Sequence, residues 1–373
     1  MKSFNQDPLV VIWEMTRACA LKCVHCRAEA IDRRSPGELS TDEAFSLLDE
    51  IHRFKDPLVV LTGGDPLRRP DALDIVEYGA TLSLHMAMTP SATSEVSFEL
   101  LRDFKKAGLA RLAVSLDGST LEIHDAFRQV AGSYDWTLRI MRWANELDLS
   151  LQINTTVSRY NLADFDSIAR FLETFRVSLW SVFFLVPVGR ANISQEPRAR
   201  DFEAVFNRMA ERSRFSSYQI KSTEAPQYRR VALQTLRQPK TVPDDSLNEG
   251  SFTWSNASRG ENTPRPILPV NDGKGFVFIS HTGEIHPSGF LPLSAGNVKK
   301  DSLVNIYRNS SLFKTLRDYS KLKGKCGVCE YKSVCGGSRA RAFAVHGDMM
   351  ASDPFCVHVP KGYRVSEEEK RFW

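Results

Sequence analysis

Seven cysteines fall into two tight groups with none between them. Cys19, Cys23 and Cys26 are spaced C-x3-C-x2-C, and Cys326, Cys329, Cys335 and Cys356 are spaced C-x2-C-x5-C-x20-C. An odd count split this way, behind an amino terminus without a charged–apolar–small signal layout, argues against a disulfide framework and for metal ligation. Three thiolates on one loop can hold three irons of a [4Fe–4S] cube and leave the fourth iron open to an outside ligand. Cys19, Cys23 and Cys26 are therefore read as catalytic metal ligands. A zinc site that takes His25 as its fourth ligand fits the same spacing, as do ordinary buried cysteines. The second group supplies four thiolates, the number that closes a cube, and a structural zinc held by four cysteines is the competing reading.

Such loops need a scaffold. From residue 9 to about 190 short β-branched runs alternate with helical stretches. Strands are expected at 9–15, 58–61, 83–88, 110–116, 151–157 and 179–185, and helices at 41–54, 72–78, 94–107, 134–147 and 162–175. Six βα units make a right-handed parallel array, too few for the usual closed eight-unit barrel, so the fold class is α/β, an open (β/α)6 partial barrel. Cys19 to Cys26 would then follow the first strand, on the face where such barrels do chemistry. Residues 199–237 read as helix, short strand and helix. Residues 275–287 read as a hairpin, with short helices at 301–309 and 311–319 leading into the second cysteine group. The expected division is a barrel domain with helical extension over 1–237, a Pro-, Asn-, Ser- and Gly-rich linker or lid over 238–272, and a small iron–sulfur domain over 273–373. Lys plus Arg exceed Asp plus Glu by only 49 to 45, spread along the chain, so no nucleic-acid or membrane surface is expected. The longest apolar stretch, 179–188, is too short to span a bilayer, and a cytoplasmic protein is expected.

Further elements sit at the strand ends. Gly63-Gly64-Asp65-Pro66 follows strand two, Ser115-Leu116-Asp117-Gly118 ends strand four, and Gln152-Ile153-Asn154-Thr155-Thr156 lies in strand five. With the first cysteine loop, in this order, they resemble the radical S-adenosylmethionine (SAM) superfamily. The resemblance implies a SAM-ligating [4Fe–4S] cluster, reductive cleavage of SAM to a 5′-deoxyadenosyl radical, and hydrogen abstraction from substrate. It places the SAM amino group at Gly63, Gly64 and Asp65, the ribose or carboxylate near Ser115, Asp117 and Asn154, and the adenine near His25 and Val188. Plain turn glycines and strand-end hydrogen bonding are the bland readings of the same residues. Gly336 to Arg341, Gly347-Asp348 and Asp353 to Cys356 resemble the SPASM/twitch-type auxiliary region, with one auxiliary [4Fe–4S] cluster.

Within that superfamily, Cys23 to Ala28 and the tail spacing resemble the group of heme b synthase, other heme-modifying enzymes and cytosylglucuronate decarboxylase. The shared theme implies oxidative decarboxylation or side-chain modification of a carboxylate-bearing small molecule, with the auxiliary cluster as an electron outlet. Arginine forms bidentate pairs with carboxylates, so Arg128, the Tyr228-Arg229-Arg230 run, Arg339 and Arg341 are candidate substrate residues, though a solvated or structural arginine is the commoner case. His281 and His286 could face a heme or a metal, though hairpin surface histidines are commoner. A maturase acting on a ribosomally made peptide is the alternative, and a non-enzymatic iron–sulfur scaffold or redox carrier the second. The expected partners are a small-molecule or peptide substrate and an external electron donor such as flavodoxin or ferredoxin.

Overall fold

The computed structural model describes residues 3–235 and 267–373. Most of the expected linker or lid, residues 238–266, lies outside the described residues. The six expected strands are β1 (Val10–Thr16), β2 (Leu58–Gly63), β3 (His85–Met88), β4 (Leu109–Ser115), β5 (Leu151–Val157) and β6 (Leu179–Phe184). They pair in parallel, in chain order. Runs such as Val-Val-Ile-Trp in β1 and Leu-Val-Val-Leu in β2 are apolar at nearly every position because a parallel strand has neighbours on both faces.

The covering helices are α1 (Thr41–His52), α2 (Ala72–Thr81), α3 (Phe98–Lys106), α4 (Leu121–Arg128), α5 (Ser133–Glu146) and α6 (Phe165–Leu172). In α6, Phe165, Ile168, Ala169 and Leu172 repeat at helical spacing and are buried, each large side chain worth about 1.5–3 kcal/mol. Ser40 caps α1, with Glu43 completing a reciprocal capping box. The sequence reading missed α4, which starts after Thr120 without a side-chain cap.

The sheet runs past the six strands at both edges. After α7 (Ala199–Arg212), β7 (Gln219–Thr223) pairs in parallel with β6, and α8 (Gln227–Thr235) follows. At the other edge β8 (Phe276–Ile279) pairs in parallel with β1, placing Phe278 opposite Ile12. β9 (Glu284–His286) closes the expected hairpin onto β8, and β10 (Gly296–Asn297) pairs with β9. The order is therefore β10-β9-β8-β1-β2-β3-β4-β5-β6-β7, with β7 and β8 unpaired to each other, so the barrel is open.

The carboxy-terminal part, with helices α9 (Leu303–Asn309), α10 (Ser311–Arg317), α11 (Gly324–Val328) and α12 (Arg339–His346), is tied to this barrel by a buried cation. Arg341 is fully buried and donates to the carbonyls of Phe184 (3.2 Å), Leu185 (2.8 Å) and Glu224 (2.9 Å), with Asp353 Oδ2 at 3.4 Å. Removing one side of such a buried charge pair costs about 3–5 kcal/mol. Among the described residues no helix is long and apolar enough to cross a membrane.

Candidate active site

β1 delivers the chain directly into the first cysteine loop. The loop is pinned at its neck, where Cys19 N donates to Ile31 O (2.8 Å) and Ile31 N to Arg17 O (3.0 Å). The turn after β2 packs on this neck through Gly64 N to Thr16 O and Asp65 N to Ala18 O, both 2.7 Å. A Cβ on Gly64 would stand 2.4 Å from Ala18 O, so only glycine allows this approach. Each sulfur has a donor at hand. Ser91 Oγ lies 3.1 Å from Cys19 Sγ, Leu21 N donates to Cys19 Sγ (3.3 Å), Ala30 N to Cys26 Sγ (3.4 Å) and Arg128 to Cys23 Sγ (3.5 Å). Burial pushes the Cys19 thiol up, against the Ser91 and Leu21 donors, and a metal bound there would favour the thiolate. Thiols with N–H and O–H donors aimed at sulfur fit an iron–sulfur cluster held by Cys19, Cys23 and Cys26.

Other singled-out residues collect around this loop. Asp65 is buried and works through its side chain, accepting from Leu67 N (3.1 Å) and Ser91 N (3.3 Å). Burial raises its carboxyl to about 6, while those donors pull it down. Asp65 thereby places Ser91, a residue the sequence reading missed, against Cys19. Asp117 is fully buried at the end of β4, accepts from Thr156 N (2.7 Å) and is paired with Arg128. Burial works against the charge of Arg128, but Asp117 and Cys23 hold its pKa above the ordinary value. Its guanidinium is thus occupied by Asp117 and Cys23. The His25 ring stacks on Phe127 with centroids 4.2 Å apart, and burial, then Arg128 and Arg190, hold it well below its ordinary pKa. The ring is neutral and flat against a partner. Ser115 and Asn154 are neighbours in register across β4 and β5. Val188 adjoins Gly189, where a Cβ would meet Cys26 O and Arg27 O at 2.5 Å, so this segment lies on the cysteine loop.

The second group also converges. Cys326, Cys329, Cys335 and Cys356 line one small apolar cavity of about 20 Å³. Tyr331 N donates to Cys329 Sγ, Gly337 N to Cys335 Sγ and Asp353 N to Cys326 Sγ, each at 3.4 Å. Burial pushes the Cys329, Cys335 and Cys356 thiols up to about 12. Four thiols gathered on one cavity, three of them with backbone donors at sulfur, fit a fully ligated cluster. Cys329 also forms a trio with Glu330 and His358 whose ligand atoms lie within 4.8 Å of one another. Arg339 donates to the carbonyls of Met349 (2.9 Å) and Ala351 (2.8 Å), and with the equally buried Arg341 it is spent on structure.

A cavity of about 360 Å³ fills the barrel interior. Thr62, Thr89 and Asn154 line its wall, as do Tyr228, Arg229 and Asn271. It reaches both cysteine regions: Arg27, also on its wall, follows Cys26, and Asn271 Nδ2 donates to Cys335 O (3.2 Å). Arg229 donates to Val334 O (3.0 Å), and burial lowers its pKa. Arg27 was not expected. It pairs with Glu14 (2.7 Å), which also receives His281 (2.8 Å), and lies 4.7 Å over Phe278. Burial alone would raise Glu14, but Arg27 and His281 hold it at about 2. His286 is half-buried beside Phe278.

Comparison with known proteins agrees with this geometry. The radical SAM superfamily profile matches residues 13–172. An AdoMet-dependent heme synthase of Methanosarcina barkeri is 36% identical over 96% of this chain and 99% of its own. An Fe-coproporphyrin III synthase of the same organism is 28% identical over 95% of this chain and 89% of its own. Among solved structures, Streptococcus suis SuiB bound to S-adenosylmethionine superposes with a TM-score of 0.70 at 16% identity, covering 95% of this chain and 78% of that one, a likeness of fold. Strand order, glycine approach, cysteine loop and full-length similarity converge, and the chain belongs to the radical SAM superfamily of iron–sulfur enzymes that use a [4Fe–4S] cluster and SAM.

Proposed function

We propose that this enzyme oxidatively decarboxylates propionate side chains of an iron porphyrin in heme formation. The observation that carries the reading is the interior cavity that reaches from the Cys26–Arg27 segment to the Cys335 segment, in a chain similar over its length to heme synthases. Iron coproporphyrin III carries four propionates where heme b has two propionates and two vinyls, so the conversion removes carboxylates. When bound, the amino-terminal cluster supplies the electron that cleaves SAM, and a cluster on Cys326, Cys329, Cys335 and Cys356 supplies an outlet for the electron each oxidative decarboxylation leaves behind.

The chain's own residues bind and orient. The Gly63–Asp65 turn presents backbone groups to the SAM amino group, Ser115 and Asn154 face its ribose or carboxylate, and the neutral His25 ring and Val188 flank the adenine. Asp117 positions Arg128 against Cys23. Tyr228 and Arg229 face the substrate from the cavity wall near the second cysteine group. In this reading the barrel of residues 1–237 carries SAM, and 273–373 forms the cap over the substrate. A cytoplasmic flavodoxin or ferredoxin delivers the electrons.

The test is anaerobic reconstitution with iron, sulfide, SAM, dithionite and iron coproporphyrin III. The reading expects 5′-deoxyadenosine together with vinyl-bearing porphyrin. Formation of 5′-deoxyadenosine with the porphyrin untouched, and peptide modification by the same preparation, would replace it with the peptide-maturase reading.

A further inference from the structure

Arg190 carries two donors that the folded chain leaves unanswered. Its Nε and Nη2 are buried, and neither has a hydrogen-bond partner among the described residues. The chain before it fixes its place. Gly189, at φ +61°, lets the segment after β6 close onto the cysteine loop, where a Cβ would meet Cys26 O and Arg27 O at 2.5 Å. Arg190 N then donates to Cys26 O (3.0 Å). The guanidinium stands near enough to His25 that its charge, after burial and Arg128, helps to keep that ring neutral. The unanswered edge therefore lies beside the third cysteine, on the side where the proposed SAM neighbours His25 and Val188 stand. Other cations of this region are engaged: Arg27 is paired with Glu14, and Arg128 with Asp117.

Burial strips water from a guanidinium, and folded proteins seldom leave such donors without an acceptor. Nε and Nη2 are a parallel pair of N–H groups, the fork with which arginine grips a carboxylate through two bonds. Resting on the radical SAM and tetrapyrrole readings above, we propose that Arg190 is a carboxylate-binding residue of the first site and holds one acid group through Nε and Nη2. Two acids enter that site: the methionyl carboxylate of SAM and a propionate of the porphyrin substrate. The recognition chemistry is the same for both. Because the backbone of Arg190 is tied to Cys26, the acid it holds is oriented relative to the first cluster.

The test is a binding measurement on the cluster-loaded enzyme, kept anaerobic and without reductant so that SAM stays whole. SAM and decarboxylated SAM form one arm, followed by equilibrium dialysis. Metal-free coproporphyrin III and its tetramethyl ester form the other, followed by porphyrin fluorescence. In one arm Arg190→Gln should weaken the acid by at least about tenfold and leave its carboxylate-free counterpart unchanged. The arm that responds names the source of the acid. Arg190→Lys should regain only part of the loss, because an ammonium cannot make the paired contact. If Arg190→Gln loses iron, Arg190→Lys carries the test, with a loss of at least about threefold for the acid alone. Unchanged affinity for both acids overturns the proposal, and so does equal weakening of an acid and its carboxylate-free counterpart. A first-cluster potential that moves while both affinities hold also overturns it, in favour of a donor to the cluster's sulfur. A wild type that binds neither porphyrin overturns the tetrapyrrole reading, and the SAM arm alone then decides the role of Arg190.

Discussion

Around the first cysteine group two of the sulfur donors reach in from far along the chain, Ser91 after β3 and Arg128 at the end of α4, beside the loop's own Leu21 and Ala30 amides. Around Cys326, Cys329 and Cys335 they are backbone N–H groups of Asp353, Tyr331 and Gly337, within the same segment. The first loop thus depends in part on the finished barrel, whereas the second takes these donors from its own segment. Exposure does not separate the two groups, because Cys23 and Cys326 are buried and the other five cysteines are partly exposed. What differs is the origin of the donors: only the first group enlists side chains that a completed βα array must bring to it.

The sharpest break in this comparison is removal of the ligands themselves. Replacing Cys19, Cys23 or Cys26 by alanine should reduce 5′-deoxyadenosine formation to background. Cys329→Ala should keep SAM cleavage and lose porphyrin product, which chromatography of both products reads directly. Product formation that survives Cys329→Ala would make the second site structural only.

Backbone crowding comes next. Gly337 has φ +69° and a Cβ there would meet Asp353 Cβ at 2.9 Å and Cys326 Sγ at 3.1 Å, so Gly337→Ala should cost about 1–3 kcal/mol and release iron from the second site alone. Gly64→Ala drives a Cβ against the Ala18 carbonyl and should release iron from the first. Iron content and the electron paramagnetic resonance of each cluster separate the two.

A smaller effect lies behind the second site. Glu196 is buried with Arg341 Nε 3.6 Å away, beyond hydrogen-bond reach, and burial, eased by Arg341, raises it to about 8 from an ordinary 4.5. The folded protein keeps a proton that the unfolded chain releases, so stability falls as pH rises from 4.5 through 8. Glu196→Gln should raise the thermal midpoint by several degrees at pH 8 and shift it little at pH 5. Smallest is Ser91→Ala, which removes a hydroxyl from Cys19 with iron content unchanged. It should move the first cluster to more negative potential by roughly 40 mV, the one-electron equivalent of about 1 kcal/mol, and leave the second cluster where it was.

The strands of the barrel were legible because a parallel strand writes itself as a short apolar run, and β1, β2 and β5 lie within a residue or two of where that pattern put them. The cysteine groups were legible because ligand spacing is local. What sequence hid depends on distance. β8 is four residues long and finds β1 across more than half the chain, and nothing in Phe276–Ile279 names that partner. α4 is one short helix without a side-chain cap and reads as loop. Asp117 and Arg128 each stood out separately, but their pairing exists only once α4 folds back over the end of β4. Arg27 gave no signal, since an arginine inside a barrel looks in sequence like any surface cation.

The pairing of β8 with β1 also orders events during synthesis. β1 leaves the ribosome first, yet one of its edges waits for residues 276–279, roughly three-quarters of the chain later. Until then Val10 to Trp13 offers open amide and carbonyl groups to any passing strand, the hazard that exposed edges bring. The cysteines that follow β1 hang from that unfinished edge. A chain halted short of residue 276 would therefore keep that edge, and the loop beside it, open to association with other strands.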